Sequence, residues 1–204
     1  MTSEIYTLCT DAYRGMLAAI YMGVTIHYRG KIDAVTRIQE LVSELSEIGT
    51  VLGWEVVAIS NEDGEADQSG VEGVILSPMD GTESIPFLFD GEGNLRSLIA
   101  LYNDDADYTY YVAVKTQFGE TETHSYLVGL LHYLKKKYLS ALSVNDEGGF
   151  WERGSLDELR RRKEFLQKMI DRFQDEASGS ESDGEDVEKK IVEIFERLRG
   201  DLED

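Results

Sequence analysis

Cysteine is all but missing from these 204 residues: Cys9 stands alone, which excludes an internal disulfide and a multi-cysteine zinc site. It lies among apolar residues at helical spacing and reads as packing rather than as a reactive thiol. Proline is scarce too, with Pro78 and Pro86 the two copies, so helices and strands can run uninterrupted. No run of about eighteen apolar residues offers a membrane-spanning helix. The first residues, MTSEIYTLCTDAYRG, lack the basic start and long apolar middle of a signal peptide, which points to the cytoplasm.

Positive charge is the other shortage. Against 40 acidic residues stand 20 basic ones, a formal net charge of -20. Such a field repels nucleic-acid backbones and anionic membranes, and it speeds encounter with a basic protein partner. Familiar contiguous motifs are missing as well. There is no phosphate-binding G-x-x-x-x-G-K-[ST], no nucleophile elbow G-x-S-x-G and no H-E-x-x-H, and DGEGN at 90–94 lacks the spaced oxygens of a calcium loop. No cofactor is expected.

What is present is an ordinary globular mixture, 42% hydrophobic and 10% aromatic. Four segments follow from it: a helical appendage over 1–21, a core domain over 22–174, an acidic Ser/Gly-rich linker over 175–186, and an amphipathic helix over 187–204. That last helix would dock on its own domain, pair two copies as a homodimer, or fill a partner's groove.

Within the core, VTIHYRGK (24–31) reads as a strand, Asp33 as an N-cap, and Val35, Ile38, Leu41, Val42, Leu45 and Ile48 as one face of a helix. WEVVAIS (54–60) is the next strand, and 71–101 a meander with a turn at DGEGN. A strand at 110–115, a helix over 121–139 and the strand SALSVND repeat the strand–helix–strand order, spaced as a diverged duplication. Ser155 and Glu158 form a capping box for a helix to about 174. The fold expected is α+β: one domain with a mostly antiparallel sheet and helices chiefly on one face.

Chemistry is expected where the 121–139 helix begins and the last strand ends. His124 there comes within reach of Glu120, Glu122, Asp146 or Glu147 if the strand end returns beside the helix start, and the corner NDEGGFWE adds Glu152. His124, Asp146, Glu147 and Glu152 are therefore the candidate acid/base residues, with His124, Asp146 and Glu147 the candidate metal ligands. The leading expectation is a non-catalytic acidic interaction module, an adaptor, binder or immunity-type inhibitor of a basic partner. The alternative is a hydrolase or metal-assisted enzyme at that corner.

Overall fold

Strict alternation of apolar and polar side chains makes VTIHYRGK a strand and orients it. Ile26 and Tyr28 are buried against the core, whereas His27 and Arg29 turn outward. The computed structural model describes residues 23–60, 70–101 and 110–178. The expected helices over 1–21 and 187–204 lie outside the described residues, as does the linker beyond Ser178.

In chain order the elements are β1 (Thr25–Arg29), α1 (Ile38–Val51), β2 (Glu55–Ile59), β3 (Glu72–Ser77), β4 (Ile85–Phe89), β5 (Leu95–Arg96), β6 (Val112–Lys115), α2 (Thr121–Lys137), β7 (Ser143–Asp146), α3 (Phe150–Arg153) and α4 (Leu156–Ser178). Residues 24–162 form one compact unit; a second comprises 1–23 and 163–204, of which Gly23 and the C-terminal part of α4 are described.

The α+β class is as the sequence leads one to expect, with every strand pairing antiparallel. The strands divide, however, into two sheets, β6–β1–β7 and β2–β3–β4–β5. β1 and β2, which read as one strand–helix–strand unit, belong to different sheets. The reason is partner choice: β2 pairs with its neighbour β3, whereas β1 draws its partners from far along the chain, Ile26 opposite Val114 on one side and Asp146 on the other. The second run, β6–α2–β7, flanks β1 on both edges.

The sheets meet where β1 ends. Leu95 N–H donates to Gly30 O at 2.9 Å and Ile32 N–H to Gly93 O at 2.8 Å, so residues 30–32, just past β1, pair antiparallel with the end of the DGEGN turn and the start of β5. Tyr28 crosses the same seam, its hydroxyl donating to Pro86 O at 2.7 Å. One hydrophobic cluster serves both sheets, with Ile26, Tyr28, Leu41, Leu45, Phe87 and Leu131 among its members. Each such buried side chain contributes about 1.5–3 kcal/mol. α1 lies on β2 and β3 through Ile38, Leu41 and Leu45. The far face of the three-stranded sheet, bearing Ala113 and Asn145, is left exposed.

Helix ends are tied by residues distant in sequence. Asp33 does not cap α1; its carboxylate accepts instead from Ser140 N–H at 3.0 Å and Ser140 Oγ at 2.7 Å, fixing the turn after α2. A 3-10 turn, Val35–Arg37, precedes α1 and takes up the slack. The start of α2 is capped by Asp80 from the turn after β3, which accepts from Glu120 N–H and Thr82 N–H, both at 2.9 Å. Burial pushes the Asp80 carboxyl up, but hydrogen bonds from Thr123, Thr82 and Glu120 outweigh it and hold the group at about 2. Because the folded value lies below the unfolded one, the stabilisation is complete above about pH 4 and is lost as pH falls through about 2. Asp80→Ala is expected to cost about 1–2 kcal/mol near neutrality, after allowance for solvent screening, and to flatten the acid limb of stability. Urea unfolding between pH 7 and 2 measures both.

Candidate functional site

His124 lies in the first turn of α2 and is fully buried. The helix reaches this depth because Leu127, Val128 and Leu131 follow on the same side and bind it to the core. Its Nδ1 is 2.7 Å from Thr116 Oγ1, at the end of β6, and its Nε2 is 3.2 Å from Asp146 Oδ2, at the end of β7. The expected meeting of His124 and Asp146 therefore occurs, with Thr116 as a third member.

Every atom of this line has a use. Asp146 Oδ1 accepts from Gly148 N–H at 2.7 Å, and Oδ2 accepts from Trp151 N–H at 2.9 Å besides the imidazole. Thr116 reaches Val24 O through both its N–H, at 2.8 Å, and its hydroxyl, at 2.9 Å. Burial raises the Asp146 carboxyl; the hydrogen bond and charge of His124, with the Trp151 and Gly148 amides, outweigh that and leave it below its usual value. Two proton arrangements satisfy the set. In one, Thr116 donates to a neutral imidazole that donates to Asp146. In the other, Thr116 donates to Val24 and an imidazolium donates both ways.

Hydroxyl, imidazole and carboxylate in a line also make up an acyl-transfer relay. Here the hydroxyl and the imidazole are both 0% exposed and the carboxylate residue 5%. Phe150 stands edge-on to the imidazole at 6.2 Å. A Cβ on Gly148 would come within 3.0 Å of both Asp146 Oδ1 and His124 Cε1, so the backbone itself closes the remaining side. What this arrangement does chemically is clamp β6, α2, β7 and α3 together around one charge-assisted network.

Glu147 is not part of it. One residue past the end of β7 it faces the other way, 3.3 Å from His27 Nε2 and 3.2 Å from the Thr25 amide. Glu152 is exposed on α3, and His132 stacks on Trp151 with ring centroids 3.7 Å apart. Among the described residues no group of three or more His, Cys, Asp or Glu could hold a metal ion. Among them, too, no helix is long and apolar enough to cross a membrane.

Two apolar grooves open on the surface of this unit. One, of about 350 Å³, is lined by Pro86, Ile99, Tyr111 and Ala113. The other, of about 340 Å³, runs between α1 and α2, with Ile48 and Leu52 on one side and Tyr126, Gly129 and Tyr133 on the other. Sequence patterning pointed to neither groove, and Tyr126 at the second is 50% exposed. Comparison with protein-family models, curated proteins and solved structures finds no match to this chain.

Proposed function

We propose that this chain is a non-catalytic interaction module that binds a basic protein partner. The observation that carries the reading is the state of the His124–Asp146 pair: it is sealed from solvent and its hydrogen bonds are spent on the protein. A hydrolytic relay needs its hydroxyl and imidazole within reach of a substrate atom, and this one serves packing. The net charge of -20 supports the sign of the partner, and half-exposed tyrosines at an apolar groove supply anchors of the kind interfaces use. A cytoplasmic location belongs to the same reading, supported by the single cysteine.

Native mass spectrometry of the full chain, purified gently from its source cells, tests the reading. A basic protein retained at fixed stoichiometry and released by salt is the expected result. A metal ion or small molecule retained by the wild type and absent from His124→Gln would overturn it in favour of an enzyme.

A further inference from the structure

We infer that two copies of the chain pair through β2, strand to strand about a two-fold axis, with the two α1 helices side by side; the contact goes beyond the basic-partner reading and does not rest on it. Pro86 decides which way β2 points its backbone. It has no N–H, and its carbonyl accepts from Tyr28, so Ile75 opposite it bonds on its other side, with Val57. Alternation then bonds Glu55 to Ser77 and Ile59 to Gly73, and directs the N–H and C=O of Val56 and Ala58 to the outer edge, where they have no partner among the described residues.

The other sheet edges are closed by the chain itself. β5 is two residues long. Lys115 N–H of β6 donates to the Glu83 carboxylate at 2.8 Å and its carbonyl accepts from Glu83 N–H at 3.0 Å, while the Asp146 carbonyl of β7 accepts from Gly149 N–H at 3.0 Å. β2 has five residues and none of the lysine, proline or bulge that blunts an edge, and Val57 on it is 42% exposed.

What selects a second copy is the fit. About a two-fold axis at Val57, Val56 of each copy faces Ala58 of the other, and each such pair exchanges both backbone hydrogen bonds. Val57 meets its own counterpart and Glu55 lies opposite Ile59, so no two acids are opposed. The helices then arrive at packing distance. α1 runs along β2 and β3, Gln39 reaching Glu72 at one end and Gly49 resting against Val56 and Leu76 at the other. Strands about 4.8 Å apart place its axis about 5 Å from the two-fold and the pair about 10 Å apart, the spacing of packed helices. A contact that close needs a flank without charge. Glu44 turns to α2, on the β4 side, with Glu40 and Glu47 on the same half of the helix. The stripe on the opposite side, past β2, is Gln39, Val42, Ser46 and Thr50.

The net charge of -20 on each copy opposes the dimer at longer range, where salt screens it beyond about 10 Å at 0.1 M. The dimer is therefore expected to tighten as salt rises, the reverse of a contact with a basic partner. Sedimentation equilibrium of the full chain in about 0.05 M and about 0.5 M salt tests this. Ala58→Pro, which removes a donor that β3 does not use, and Ser46→Glu, which sets two acids against each other across the axis, should each raise the dissociation constant by about tenfold or more, with the urea midpoint of the monomer near that of the wild type. Ser46 lies on the helix surface, so its variant reads the interface even where proline disturbs β2. A wild type that stays monomeric at about 100 μM in both salts would overturn the inference. So would a dimer that either variant leaves unchanged, since the copies would then meet elsewhere. Neither result touches the basic-partner reading, which the retained mass decides.

Discussion

Asp146→Ala is expected to destabilise the protein by about 3–5 kcal/mol, because it leaves several buried donors without their charged acceptor. Three donors lose their acceptor at once: His124 Nε2–H, Gly148 N–H and Trp151 N–H. None of them is placed to turn to solvent, because His124 is fully buried and Phe150 and Trp151 pack against the core. An amide does not rescue the site. In Asp146→Asn, placing the NH2 group at Oδ2 sets it against Trp151 N–H, and placing it at Oδ1 sets it against Gly148 N–H, so one donor faces another either way. The cost for asparagine is expected to be about 1–3 kcal/mol, below that of alanine. Urea unfolding of the three proteins at neutral pH measures the series, and an alanine variant as stable as the wild type would show that the network bears no stability.

The same carboxylate sets a pH dependence of known sign. Its folded value lies below its ordinary one, so its contribution is whole above about pH 4 and falls away as acid protonates the folded state. The wild type should therefore lose stability on acidification more steeply than Asp146→Ala does.

How much of this was legible in the sequence differs from residue to residue. The alternation in TIHYR fixed which side chains of β1 face the core, and the apolar period of SELSEIG and its neighbours fixed the face of α1. The meeting of His124 and Asp146 was legible because a strand that returns beside the start of the preceding helix brings its own end there. The separation of Glu147 from them was legible in principle, since neighbours on a strand point to opposite faces. Thr116 was not: a lone threonine at a strand end has no pattern, and its role depends on a hydrogen bond eight residues across a turn. Nor was the division into two sheets, because periodicity tells which face of β1 is buried and says nothing of which strands lie at its edges.

Gly73→Ala is the second large effect, expected to cost about 3 kcal/mol or more, and it arises from a position that local patterning treats as an ordinary strand residue. Gly73 lies in β3 with φ 153°, opposite Leu88 of β4. A Cβ there would come 2.9 Å from Leu88 Cα and closer still to the Phe87 carbonyl oxygen, both backbone atoms that no rotamer change can move aside. β4 cannot yield, since all five of its residues are buried and it is paired on both sides, to β3 and β5. One methyl group would thus force the two middle strands of the four-stranded sheet apart, and Phe87 and Leu88 with them. Gly129 shows that the effect belongs to the site and not to glycine as such, because the same methyl group on α2 meets nothing within 4 Å among the described residues. Thermal and urea unfolding of the two alanine variants separates them: Gly73→Ala should fall well below the wild type, and a Gly73→Ala protein of wild-type stability would mean that β3 and β4 are not packed as closely as this register requires.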